Sequence, residues 1–105
     1  MIGSGKKKNK YNAIPVIIDG YFFPSIKEGK RYAELTLLKR AGDIIRFYRQ
    51  VPFYLPGKIV YRLDFLIYWK NKEITHEDTK GFQTAVFKIK RKQVEEIYGI
   101  KIITT

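Results

Sequence analysis

Residues 61–81 read YRLDFLIYWKNKEITHEDTKG, and their alternation decides what the rest of the chain must supply. From 61 to 69 the side chains fall at period two, with Tyr61, Leu63, Phe65, Ile67 and Trp69 on one face and Arg62, Asp64, Leu66 and Tyr68 on the other. A short polar turn at 70–72 leads to a second strand over 73–80, with Ile74, His76, Asp78 and Lys80 on one face and Glu77 on the other. Paired as a hairpin, the two strands set Asp64 and Asp78 on the same side, and Lys80 follows one repeat further on. A carboxylate in mid-strand is costly unless something partners it. Two of them beside an amine make a candidate divalent-metal site. Hydrolysis of a phosphodiester needs developing charge neutralised on phosphoryl oxygens, and hard Mg²⁺ takes oxygen ligands from one or two carboxylates plus water. A lysine beside it can orient the attacking water or meet that charge. The competing account is an ordinary ion pair, because an Asp-x-Lys triplet is common.

Composition sets the class. A chain of 105 residues, 45% hydrophobic and 15% aromatic, makes one domain with a modest core. Twenty-one Lys and Arg against ten acids give a formal charge of +11, which predicts a polyanionic partner, nucleic acid before an anionic membrane. No run approaches the apolar length of a membrane span, and the N-terminus lacks the apolar core of a signal peptide. Zero cysteines and the single His76 remove thiolate zinc sites, histidine-metal nucleases and disulfide frameworks together. The absence of cysteine fits a reducing, cytoplasmic setting. His76 itself reads as a satisfied strand histidine. No glycine-rich phosphate loop of nucleotide-hydrolase type is present.

Residues 1–10, MIGSGKKKNK, have no periodicity and predict a flexible basic arm, with Lys6, Lys7 and Lys8 as screened phosphate contacts. Residues 11–105 follow as a single domain. The apolar runs 14–18 and 21–23 flank Asp19-Gly20, a dipeptide suited to tight hairpin turns. A helix is predicted over 26–41 with Gly42 as its stop, and Ser25 with Glu28 fits a capping box. At 100° per residue Glu28 lies roughly 20° from Leu35, on the stripe that faces a sheet, whereas Glu34 lies well off it. Glu28 is therefore either a cap or a third acid aimed at Asp64 and Asp78. Residues 43–55 read as extended chain broken by Pro52, which marks a bend or a sheet edge. Strands over 58–69 and 73–80 follow. A second helix runs from about Thr84 to Tyr98 with Val86, Ile89, Val94 and Ile97 as its expected buried residues, and a strand over 100–103 closes the chain. That helix carries Lys88, Lys90, Arg91 and Lys92, which are either a solvated face or a phosphate contact, and Gln83 is a further candidate near Lys80.

The order of hairpin, helix, three strands, helix and strand, with Glu28, Asp64 and Asp78-Thr79-Lys80 at these positions, resembles the PD-(D/E)XK nuclease superfamily. More closely, FPSIKE at 23–28, RYAEL at 31–35, YRLDF at 61–65 and EDTKG at 77–81 are similar to a phage-encoded family of unknown function related to Holliday junction resolvases. The similarity spans roughly residues 11–103. It implies a restriction-endonuclease-like mixed α/β sheet. It also implies Mg²⁺ or Mn²⁺ bound by Asp64, Asp78 and the Thr79 carbonyl, with Lys80 at the water and Glu28 completing the site. Two departures stand out: Leu63 occupies the position of the superfamily's proline, which is no ligand, and Asp78 replaces the commoner glutamate. Glu77 precedes it and points away, and a one-residue bulge would exchange the two.

The expected function is a metal-dependent DNA endonuclease, resolvase-like and selective for branched DNA, leaving 5′-phosphate and 3′-hydroxyl ends in the host cytoplasm. A four-way junction needs two symmetric cuts, so a homodimer is expected, joined through residues 43–54 or the hairpin. Two alternatives are a nickase or end-processing nuclease of the same fold, and a basic nucleic-acid-binding module whose carboxylates are structural.

Overall fold

The computed structural model describes residues 14–105. Within them β1 (Val16–Ile18) and β2 (Tyr21–Phe23) form a hairpin, followed by α1 (Ile26–Arg40), β3 (Ile44–Leu55), β4 (Ile59–Trp69), β5 (Ile74–Asp78), α2 (Ala85–Tyr98) and β6 (Ile102–Thr104). The last four strands make one sheet in the order β3-β4-β5-β6, antiparallel except for the parallel β5–β6 pair. A parallel pair needs a long crossover, and α2 supplies it. The mixed α/β architecture and its order are those read from the sequence. The basic arm, with Lys6, Lys7 and Lys8, lies outside the described residues.

Local chemistry explains the element ends. Asp19 and Gly20 both take positive φ, 53° and 80°, as a two-residue hairpin turn requires, and Ile18 then pairs with Tyr21. Ser25 caps α1 by accepting the Glu28 N–H at 3.2 Å. Only half of the capping box forms, because the Glu28 carboxylate turns elsewhere. α1 ends at Arg40, and Gly42 at φ 88° turns the chain into β3. The helix can lie close to the hairpin because Gly29 has no Cβ. A methyl there would meet Val16 Cγ2 at 2.8 Å and Ile18 Cδ1 at 2.9 Å.

Of the two readings of Pro52 the sheet edge holds and the bend does not: β3 is an outer strand and runs unbroken through Pro52, paired with Arg62, since an outer strand tolerates the missing N–H. Two details differ from the expectation. The closing strand is Ile102–Thr104 rather than 100–103, with Ile100 packed beneath it. Of the expected buried face of α2 only Val94 is buried, while Val86, Ile89 and Ile97 are 62%, 59% and 53% exposed. The inner face consists of Val94 and Phe87, which stand two turns apart and meet the far end of the sheet.

Two apolar clusters hold the molecule. One joins Phe23, Tyr32 and Leu35 to Ile44, Phe65 and Ile67, and the other joins Val94 to Leu55, Tyr61, Leu63 and Ile102. Burying each such side chain contributes about 1.5–3 kcal/mol. One strand feeds both, for Leu63 and Phe65 stand two residues apart on β4 and belong to different clusters. Asp64 lies between them, at the seam.

Candidate functional site

The β4–β5 ladder ends at Phe65 opposite Glu77. Beyond that pair the aspartates replace the backbone as acceptors. The Asp64 N–H donates to Asp78 Oδ1 at 2.9 Å, and the Thr79 N–H and hydroxyl donate to Asp64 Oδ2 at 2.9 and 3.1 Å. Each carboxylate thus satisfies backbone that the parting strands would leave bare. β5 turns to β6 instead, where the Thr105 N–H donates to the Asp78 carbonyl at 2.9 Å and the Lys80 N–H to the Thr105 carbonyl at 3.3 Å. Both acids are out of solvent, Asp64 at 5% exposure and Asp78 at 0%. The Tyr61 hydroxyl donates to Asp78 Oδ2.

α1 brings in the third acid. Glu28 is 3% exposed, and the Gln50 amide nitrogen donates to Glu28 Oε2 at 3.3 Å and to Asp64 Oδ1 at 3.5 Å. One amide therefore spans two carboxylates that would otherwise repel. Gln50 takes φ 52° in the middle of β3, between Arg49 paired with Phe65 and Val51 paired with Leu63, which sets it level with Asp64. A left-handed conformation costs a non-glycine residue about 1–2 kcal/mol, and such strain concentrates at functional positions. Sequence reading passed over Gln50. Its only signal was an uncharged polar residue in a run otherwise made of aromatic and apolar residues and two arginines.

Burial pushes the Glu28 carboxyl from 4.5 up to about 7, helped by the neighbouring Asp64 charge and by Asp78, and opposed by Lys80 and Arg49. Burial likewise raises Asp78 from 3.8 to about 6, against the Asp64 N–H, Lys80 and Arg91. The acids read from the sequence, Glu28, Asp64 and Asp78, thus share one electrostatic neighbourhood with Lys80. The Lys80 ammonium lies 5.1 Å from the Phe87 ring centre. Carboxyls that change charge near neutrality are suited to proton transfer.

An all-oxygen donor set suits Mg²⁺ or Mn²⁺, which are bound through one or two carboxylates with water and phosphate filling the rest. Glu28 and Asp64, converging on one amide, fit that demand. Asp78 turns one oxygen to Tyr61 and the other to the Asp64 N–H. Among the described residues no three His, Cys, Asp or Glu side chains form a group able to hold an ion.

Glu77 lies apart from the cluster. No bulge exchanges it with Asp78, and both its oxygens accept from Arg31, at 2.8 and 2.7 Å. Burial lowers the His76 imidazole, whose ring is 6.1 Å from Phe53. Of the basic candidates on α2, Lys88 and Lys92 are exposed, Lys90 and Arg91 half-buried, and Gln83 before the helix is half-buried. Arg91 differs from the others in facing inward, toward Asp78 and the Phe87 ring. No helix among the described residues is long and apolar enough to cross a membrane.

No curated protein and no solved structure matches this chain. Residues 8–102 match the family described as "Protein of unknown function (DUF1064)". With that match running from the basic arm through Glu28, Gln50, Asp64 and Asp78 to the first residue of β6, the chain belongs to the DUF1064 family.

Proposed function

We propose that the protein is a metal-dependent DNA endonuclease of the PD-(D/E)XK type, resolvase-like and selective for branched DNA. The observation that carries this reading is the convergence at the seam of Glu28 from α1, Asp64 from β4 and Asp78 from β5, all buried, with Lys80 acting on two of them. Packing alone gives no reason to bury three acids together, with the carboxyls of Glu28 and Asp78 pushed up by that burial. Glu28 and Asp64 would hold Mg²⁺ or Mn²⁺, joined by Asp78 and the Thr79 carbonyl once Asp78 leaves the Tyr61 hydroxyl and the Asp64 N–H, and the ion would supply charge neutralisation at the scissile phosphoryl oxygens. The Lys80 ammonium holds the attacking water or meets the charge on the phosphorane oxygens. Lys88, Lys90 and Lys92, with Gln83 and the basic arm, hold flanking phosphates without reading sequence. Two cuts across a junction call for a twofold dimer acting in the cytoplasm, and the exposed Ile17–Phe22 pair on the hairpin offers an apolar contact for it.

One observation favours a second reading. Asp78 is engaged by Tyr61 and by the Asp64 N–H, as a structural carboxylate would be, and this suits a non-catalytic nucleic-acid-binding module. Cleavage of immobile four-way junctions with and without Mg²⁺ separates the readings, with linear duplex, flap and single strand as comparators for a nickase or end-processing activity. Asp78→Asn and Lys80→Ala are expected to lower Mg²⁺-dependent cutting by about 100-fold or more while binding persists. Unchanged cutting in both variants would sink the site assignment.

A further inference from the structure

A cleft of about 360 Å³ opens beside the site, lined by Tyr21 of β2, Tyr32 and Lys39 of α1, and Phe47, Tyr48 and Arg49 of β3. Four aromatic residues and two cations line it, and no carboxylate does. Its volume is within the roughly 300–1,000 Å³ typical of small-ligand sites. Tyr21 is 49% exposed and meets Tyr32 edge to face, ring centres 5.8 Å apart, so it leaves ring surface uncovered at the cleft. The Tyr48 ring points to the other face of β3, nearly perpendicular to Tyr68 with ring centres 6.0 Å apart. The Arg49 guanidinium is held in place over the Tyr21 and Phe23 rings, 4.7 and 4.4 Å from their centres, and donates to the Phe22 carbonyl at 3.4 Å. Its buried Nε–H has no hydrogen-bond partner. A buried donor left unsatisfied is uncommon and asks for a reason.

Arg49 also connects the cleft to the acids. It precedes Gln50, whose amide bridges Glu28 and Asp64, and its charge acts on Glu28. The cleft and the carboxylates thus adjoin at Arg49 and Gln50. Flat apolar rings beside fixed cations are the combination that binds a nucleobase and its phosphate, with sequence tolerance because every base has a π-face. Within a duplex those faces are covered by neighbouring bases. The ligand must then be a nucleotide free of its stack, as at a junction, a flap or a single strand.

We propose that this cleft seats one unpaired nucleotide, its base against Tyr21 and its phosphate on Lys39 and Arg49. This rests on the endonuclease reading and adds what that reading lacks, the feature by which branched DNA is told from duplex. The test is fluorescence anisotropy in EDTA, using a short labelled single strand, the same strand built of abasic units, and the corresponding duplex. The intact strand is expected to bind more tightly than the abasic one. Tyr21→Ala should weaken intact-strand binding by roughly 5- to 150-fold, the range for loss of one base–aromatic stack, and leave duplex binding unchanged. Tyr21→Phe should restore it, and circular dichroism of both variants checks that they fold. Equal binding of intact and abasic strands, or equal losses on strand and duplex, would overturn the proposal. Mg²⁺-dependent junction cleavage measured on the same preparations keeps the two readings separate. Persistent cutting with base-independent binding removes the cleft alone, whereas base-selective binding without cutting supports the cleft and removes the nuclease.

Discussion

α1 and α2 are almost equally long, 15 and 14 residues, yet α1 buries Glu28, Gly29, Tyr32 and Leu35 whereas α2 buries Val94 alone. α1 lies between the hairpin and the sheet, so it is enclosed from two sides and its N-terminal carboxylate is trapped with it. α2 serves as the crossover between β5 and β6, and it meets the sheet along one narrow line, through Phe87 and Val94 near Leu55, Tyr61 and Leu63 and through Tyr98 on Phe53 and Tyr54. Its apolar residues Val86, Ile89 and Ile97 stay in solvent beside its lysines. A helix that looks amphipathic in sequence is thus covered only where the fold has surface to cover it. The cost of burying an acid falls on α1, and the freedom to carry exposed charge falls to α2.

Four measurements sharpen or break this contrast. The largest effect is expected from Leu35→Ala, which should lower the unfolding free energy in urea by about 2–5 kcal/mol, against about 0.5 kcal/mol or less for Ile89→Ala. Comparable losses in the two variants would show that α2 is covered after all.

The second effect depends on pH. With the carboxyls of Glu28 and Asp78 raised, to about 7 and about 6, the folded protein binds more protons than the unfolded chain between roughly pH 4 and 7. Stability from these groups is complete below the unfolded pKa values and is lost as pH rises through the folded ones. Glu28→Gln removes its own share of that slope. The variant should match the wild type near pH 4 and exceed it by up to about 3 kcal/mol at pH 8, read from denaturation curves at each pH. A variant less stable than wild type at pH 8 would mean that Glu28 is a supporting contact rather than a strained acid.

Gly29→Ala comes third. The added methyl improves helix propensity by about 1 kcal/mol but collides with Val16 and Ile18, and overpacking costs about 1–3 kcal/mol. A net loss near 1 kcal/mol is expected, with faster hydrogen exchange confined to the β1–β2 hairpin. The smallest change belongs to the open helix. Lys92→Ala should leave stability unaltered and reduce the salt dependence of DNA binding by about one unit of log–log slope.

Much of the architecture is legible in the chain because it rests on local rules. Alternation along 61–69 marks β4, Asp19-Gly20 makes the hairpin, Ser25 and Thr84 cap their helices, and Gly42 and Gly99 end them. Asp64 and Asp78 were legible as a pair because the strand period sets them on one side of a hairpin, and Glu28 was legible as a third candidate because the helical period puts it on the stripe that faces the sheet. Other members were not. Gln50 belongs to the site only because a left-handed residue in β3 turns its amide between two acids from other elements. Arg49 and Tyr61 joined it in the same way, through packing that no sequence interval encodes.

Sequence by itself determined the element order, the basic character and which acids stand on which face, since propensity, turn chemistry and side-chain period act within a few residues. Only the tertiary structure decided that Asp78 is turned to Tyr61 and the Asp64 amide, that Arg31 takes Glu77 out of the cluster, and that half of α2 remains open. Those outcomes depend on which surfaces meet, and contacts between residues far apart along the chain are fixed only when the sheet and its two helices close on one another.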